Sequence, residues 1–169
     1  GNKFYRCLIV SPFRVDLEAT FGKQLFDIAT LSIKTFEPKV LELVQEENKL
    51  ASEYVKLKAS AQIVFEGNNY NLSSIIPLET DGNRDTRKAA TAAKWAFFAE
   101  NAAKTEQIFD DLVKIRHKIA VELGYKNFVE LGYARMLRTD YDAAMVANFR
   151  KQVQDFIVPL SLKLYEKQA

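Results

Sequence analysis

Apolar residues recur at helical spacing over long stretches of the chain, which few glycines or prolines interrupt. Five of them predict a helix over about residues 15–35: Leu17, Phe21, Leu25, Ile28 and Leu31. A nearly heptadic pattern predicts the next helix, with Pro38 in its first turn and its end near Gln62. The a positions are Val40, Glu47, Tyr54 and Ala61, and the d positions are Leu43, Leu50 and Leu57. Such a seam favours packing along an antiparallel neighbouring helix.

The second half of the chain has the same character. Helices are predicted over about 84–101 and 104–123, and Gly124 follows the second of them where a left-handed C-terminal cap belongs. Asn127 with Glu130, and Thr139 with Asp142, have the spacing of capping boxes that would begin two further helices. The last helix contains Pro159, which predicts a kink or a break. Its apolar side carries Val146, Phe149, Val153, Phe156, Leu160 and Leu164.

Only one segment favours β-structure. Two short β-prone runs, Ile63–Phe65 and Tyr70–Leu72, flank the turn residues at 66–69 and predict a small hairpin, followed by a short helical turn near 74–78. The run from Phe4 to Val10 is compatible with a strand or a helix, and helix is preferred. The sequence therefore predicts an all-α fold of antiparallel helices with one small β-hairpin. The 169 residues suit one domain, taken as a single helical segment over 1–169.

Composition narrows the class of protein. The formal net charge is +2 and no run of five like charges occurs, so we expect no strong attraction to nucleic acid or to an anionic membrane. No apolar run approaches the roughly 20 residues that span a bilayer. A single cysteine, Cys7, excludes an intrachain disulfide and favours the cytoplasm. The chain does not begin with Met, so the sequence does not exclude a targeting segment upstream.

The chemistry that the side chains allow is limited. His117 is the sole histidine, whereas a His-Glu-x-x-His zinc site needs two. It falls opposite the apolar stripe of its helix and is expected on the surface, and Cys7 is expected to be a buried, inert thiol. Catalytic residues and metal ligands are therefore predicted to be absent from this segment, and the substrate-binding residues stay unknown.

Other clusters are better explained by structure than by ligand binding. The adjacent carboxylates at 46–47 and 110–111 point about 100° apart on a helix and are expected on solvated faces. The acidic pair at 140 and 142 fits helix capping better than calcium binding. Three aromatic residues could form a binding surface, but at helical spacing among alanines they are expected in the core: Trp95, Phe97 and Phe98.

A set of short segments, spread in order along the whole chain, resembles a known family. The most informative is the run over residues 123–136, followed by 138–142 and 145–150. The others lie at 11–14, 22–26, 46–50, 59–63, 71–73, 84–90 and 157–160. Together they resemble the N-terminal, pre-catalytic part of the oligoendopeptidase F group, in the M3 family of zinc metallopeptidases.

The resemblance implies a larger, neurolysin-like helical metallopeptidase that encloses a long channel and hydrolyses short unstructured peptides. Zinc in the parent enzyme would be bound by a His-Glu-x-x-His motif and a further glutamate, and the motif's glutamate would be the general base on a zinc-bound water. Those positions would lie beyond Ala169. This segment would form part of the channel wall, would bind no zinc and would be inactive by itself.

Partners and rival functions follow from the same patterns. The final helix shows no stop signal and the start shows no cap, so the chain is expected to be a fragment whose partner is the remaining catalytic part of the same protein. Apolar stripes left uncovered in such a fragment would favour dimerisation. The main alternative is a stand-alone helical module for protein–protein interaction. A helix-turn-helix nucleic-acid binder using residues 127–136 is disfavoured by the near-neutral charge.

Overall fold

The computed structural model describes residues 2–168. Within them the chain is helical apart from one two-stranded antiparallel hairpin, which confirms the predicted fold class. The helices are α1 Asn2–Ile9, α2 Arg14–Phe21, α3 Lys23–Lys34, α4 Leu41–Ala59, α5 Ile76–Glu79, α6 Arg84–Glu100, α7 Ala102–Glu122, α8 Phe128–Arg135, α9 Ala143–Gln152 and α10 Val158–Gln168. A 3₁₀ turn, Pro38–Val40, precedes α4, and a π-helical turn, Val153–Ile157, joins α9 to α10.

The chain divides into two compact units. One comprises the chain up to Glu37 and again from Val129 onward, and the other is Pro38–Phe128. In the first unit α1 packs on α3 around Leu8, Phe26 and Ala29. The run from Phe4 to Val10, for which helix was preferred over strand, therefore lies mostly in a helix.

The helix predicted over 15–35 is interrupted at Gly22, so α2 and α3 are two helices. Gly22 has φ +84° and ψ 154°, a conformation that is open almost only to glycine, and its N–H donates to the Glu18 carbonyl at 2.9 Å. The apolar periodicity continues through this position because Leu17 of α2 and Leu25 of α3 pack against the same core. A single break therefore left no mark on the hydrophobic pattern.

In the second unit α4 packs along α7. The two helices run antiparallel, since Glu47 lies against Arg116 while Tyr54 lies beside Phe109, earlier in α7. This is the neighbour that the heptad pattern predicts. Helix α7 ends at Glu122, and Gly124 follows with φ +85°, which lets Tyr125 N–H donate to the Ala120 carbonyl at 2.9 Å. The predicted left-handed C-terminal cap is confirmed.

The hairpin lies where the sequence places it, but its turn is shorter. Strands β1 (Ile63–Phe65) and β2 (Asn68–Tyr70) pair Phe65 with Asn68, so only Glu66 and Gly67 form the turn. Both turn residues have positive φ, 48° and 78°, as a type I′ hairpin requires. The inward side chains of β1 then join a core with α6: Ile63, Phe65, Ile75 and Ala90.

The junctions around the last helices show one wrong prediction and one that is confirmed. The N-cap of α9 is Asp142 and not Thr139, because the Asp142 carboxylate accepts the Met145 N–H at 2.9 Å. The predicted interruption near Pro159 is a π turn, in which Val158 N–H donates to the Val153 carbonyl. Pro159 has no N–H to continue the α-helical ladder, so the extra residue absorbs the mismatch.

Candidate functional site

The side chains that could bind a metal ion are dispersed. His117 lies exposed on α7, between Arg116 and Lys118, which confirms its predicted surface position. Between residues 2 and 168, no group of three or more His, Cys, Asp or Glu residues could hold an ion. The donors among the described residues therefore do not form a catalytic zinc site.

Cys7 is exposed, so the prediction of a buried thiol is wrong. Helix α1 buries Leu8 and packs Tyr5 and Ile9 beside it, one turn apart on one face. Cys7 precedes Leu8 and points about 100° away from that face. Its apolar neighbours in the sequence therefore say nothing about its burial.

The two acidic pairs behave differently from each other. Asp110 pairs with Lys114 and Asp111 accepts from the Gln107 amide at 3.0 Å, so both carboxylates are used along the solvated face of α7. The hydrogen bond that Lys114 donates to Asp110, and then the charge of Asp110, raise the pKa of Lys114 above its ordinary value. A solvated structural role is confirmed for 110–111.

Glu47 corrects the prediction for 46–47, because its side chain is buried while Glu46 is exposed. The Arg116 Nε donates to the Glu47 carboxylate at 2.8 Å, across the α4–α7 interface. The same guanidinium lies 5.5 Å from the centroid of the Phe128 ring. A charge at an a position of the seam is therefore tolerated because α7 supplies a cation at the same level.

The aromatic cluster of α6 is divided between core and surface. Phe97 packs against the core beside β1, whereas Trp95 is 61% exposed, so a fully buried cluster was a wrong prediction. Phe98 lies between them, with its ring centroid 5.3 Å from Trp95 and 5.4 Å from Phe97. Two helical positions separate Trp95 from Phe97 and turn them to opposite sides. Trp95 and Phe98 thus form an outer aromatic surface.

An apolar cleft opens between α4 and α7. It has a volume of ≈ 440 Å³, and one of its walls includes Phe109, an exposed side chain of α7. Its lining is Tyr54, Thr105, Glu106, Ile108, Phe109 and Leu112. The seam predicted from the heptads therefore does not close fully at this end.

A second apolar surface follows α9, the π turn and α10. In these three elements no described residue is buried. Large side chains nevertheless stand in solvent along the predicted apolar side, namely Phe149, Phe156, Leu160 and Leu164. We call these four residues the C-terminal apolar face. A contiguous face of this kind is typical of a surface that another protein segment covers.

Sequence reasoning missed a cationic cluster after α8. The Arg138 guanidinium lies 4.7 Å from the Tyr133 ring centroid and 5.2 Å from that of Tyr141, and the two rings contact each other edge to face. The spacing of these residues, five and three positions apart, was a visible signal. Glycine is the usual signal of such a left-handed turn, and the turn that brings these residues together has Leu137 at that position.

None of the helices between residues 2 and 168 combines the length and the hydropathy that a bilayer-spanning segment needs.

Comparison with known proteins shows which class this arrangement represents. Residues 1–36 match the Peptidase M3 N-terminal domain. Among curated protein sequences there is no significant match. The chain is 53% identical to a structure assigned as oligoendopeptidase F from Bacillus anthracis str. Ames, over 99% of its own length and 31% of that chain, with a TM-score of 0.92.

Two further structures agree with the first. A second oligoendopeptidase F structure is 49% identical, with a TM-score of 0.91, and the structure of PZ peptidase A with an inhibitor is 53% identical, also at 0.91. Each is covered to 30% by this chain, which is matched over 99% of its length. The fold is therefore that of the helical N-terminal part of an M3 peptidase. Within that family the chain is similar to the oligoendopeptidase F structures, and it spans about a third of the structures that it matches.

Proposed function

We propose that this chain is the N-terminal helical portion of a zinc-dependent oligoendopeptidase that hydrolyses short, unstructured peptides. The observation that carries the proposal is the 53% identity over 99% of the chain to oligoendopeptidase F, of which the chain spans only 31%. The single, exposed His117 cannot supply the two histidines of a His-Glu-x-x-His site. The catalytic part and its zinc ion accordingly belong to the rest of the parent protein, and this segment alone is inactive.

Within the parent enzyme the proposed role is to form part of the wall of the substrate channel. Rigid helix pairs suit that role, since α4 and α7 pack along their length and are joined by the Glu47–Arg116 ion pair. The exposed apolar surfaces support it as well. They give the remaining catalytic part of the same chain something to pack against, and oligopeptide substrates would pass the faces that it leaves open.

A cytoplasmic location is proposed for the parent protein. Cys7 is the only cysteine, so this segment contains no intrachain disulfide, and its thiol is exposed. Reduced, accessible thiols persist in reducing compartments. Neither a nucleic acid nor a membrane is proposed as a partner, because the net charge of +2 gives little electrostatic attraction to either.

Reconstitution tests the proposed function. We expect no hydrolysis of an internally quenched peptide by this chain alone, with or without added zinc. The same chain, mixed with the remaining part of the Bacillus anthracis relative, should yield hydrolysis that a chelator abolishes and zinc restores. Zinc-dependent activity of this chain alone would contradict the proposal, and so would failure of the mixture despite formation of a stable complex.

Self-association of the isolated chain is a second expected outcome. The C-terminal apolar face is uncovered, so two copies should bury it against each other, and sedimentation should show a mass that rises with concentration. Phe156→Glu should weaken association by at least about tenfold, since a charge would be buried in the contact. Gln154→Glu makes the same charge on the same turn and is the control. A strictly monomeric chain that binds no hydrophobic dye would count against this outcome.

A further inference from the structure

The turn after α8 fixes the position of Arg138. Leu137 has φ 55°, a left-handed conformation that side chains with a Cβ rarely adopt. Leu137 N–H donates to the Ala134 carbonyl at 3.0 Å, and Arg138 N–H donates to the Tyr133 carbonyl at 3.1 Å. These two bonds form the Schellman motif that usually places glycine at this position. The backbone of Arg138 is therefore held against the end of α8.

The side chain of Arg138 is held by two aromatic rings. Its guanidinium contacts Tyr133 and Tyr141, and in residues 2–168 no acidic group forms an ion pair with it. Ring contacts engage the positive charge and leave the N–H donors for oxygen acceptors. A planar, half-buried guanidinium in this state is suited to bind a carboxylate through two parallel hydrogen bonds.

Arg138 borders a small cleft on the α3 side. The cleft has a volume of ≈ 220 Å³, and its lining is Lys23, Asp27, Thr30, Leu31, Arg138 and Thr139. Lys23 and Asp27 pair at 3.1 Å and largely neutralise each other, which leaves the charge of Arg138. The threonine hydroxyls offer further donors. One net positive charge beside a carboxylate matches a singly charged anion better than a phosphate dianion.

We propose that this cleft binds the carboxylate of a peptide, with Arg138 as its anchor. The identity of the ligand as a peptide rests on the proposed function. The cleft would then hold the charged end or an acidic side chain of a bound peptide and so favour peptides that carry one. Leu137 and the two tyrosines act as positioning residues, since they fix Arg138 before the ligand arrives.

Titration of the isotope-labelled chain, followed by NMR, tests the site with three peptides. The first is acetyl-trialanine with a free C-terminal carboxylate, the second is its amide, and the third is the amide with a central glutamate. We expect the Arg138 Nε–H signal and the amides of 137–141 to shift with the first or the third peptide, which separates the two sources of carboxylate. Shifts that are equal for the second peptide, larger for inorganic phosphate, or absent for all peptides would overturn the proposal.

Three variants decide whether Arg138 carries the binding. Arg138→Gln should weaken it by at least about tenfold, and Arg138→Lys by less, because lysine keeps the charge but loses the paired donors. Arg150→Gln, at an exposed arginine of α9, is the matched control and should change it by less than about twofold. The dispersion of the amide spectrum reports folding in each variant. Undiminished binding by a folded Arg138→Gln chain would reject the site even if reconstituted peptidase activity were normal.

Discussion

Phe26→Ala is expected to destabilise the chain by about 3–5 kcal/mol, the usual cost of removing a buried aromatic ring. Phe26 is 1% exposed and packs with Leu8 and Ala29, the residues that join α3 to α1. The Arg14 guanidinium also lies 5.3 Å from its ring centroid. Both helices are short, so tertiary packing rather than intrinsic propensity maintains them. A loss of this size is a large part of a typical domain's stability.

Urea unfolding followed by far-ultraviolet circular dichroism measures this effect. Phe21→Ala is the matched control, because Phe21 ends α2 with its ring in solvent and the same atoms are removed. We expect the control to change the free energy of unfolding by no more than about 0.5 kcal/mol. Equal losses for the two variants would show that the α1–α3 contact is not the core of this unit.

The helices could be predicted from the sequence because their signals are local. The periodicity of α4 and α7, the cap at Gly124 and the interruption near Pro159 depend on residues within a few positions of one another. The break at Gly22 was not predicted, because its local signal is not decisive. Glycine inside a helical pattern is ambiguous, because it is compatible both with a continuous helix and with the positive φ that Gly22 adopts.

The burial of individual side chains was predicted less well, because it depends on which other helix or strand packs against them. Cys7 and Trp95 were assigned to the core from their apolar surroundings, yet both are exposed, since each lies off the buried face of its helix. Glu47 is predicted on a solvated face, the default for adjacent carboxylates on a helix, but Arg116, 69 positions later, pairs with its buried carboxylate. No local pattern contains that partner.

Among the functional features, those with a signal in the sequence could be predicted, and those that depend on tertiary packing could not. One histidine is too few for a His-Glu-x-x-His motif, and that can be counted in the sequence. The resemblance to oligoendopeptidase F could also be recognised, because many short segments match in the same order. The Arg138 cluster could not, since it requires a left-handed leucine and the approach of α3, and neither is visible in a hydrophobic pattern.

Arg116→Met is expected to lower the free energy of unfolding by about 1–3 kcal/mol, because it takes the guanidinium away from the buried Glu47 carboxylate. The Arg116 side chain is 38% exposed and that of Glu47 is 10% exposed, so water screens the pair only in part. Glu47→Leu combined with Arg116→Met should recover most of the loss, since no charge is then left in the seam. Urea unfolding of the two single variants and the double variant gives the coupling energy directly.

The exposed pair of Lys151 and Asp155 supplies the control for this cycle. Its partners lie one helical turn apart at 2.6 Å, with 71% and 42% of the side chains exposed. Lys151→Met should therefore cost no more than about 0.5 kcal/mol, and high salt should reduce even that, whereas the Glu47–Arg116 coupling should persist. Equal coupling energies at the two pairs would mean that Glu47 gains nothing from the antiparallel packing of α4 on α7. The heptad position of Glu47 would then be a defect of the seam, and Arg116 would not be the residue that compensates for it.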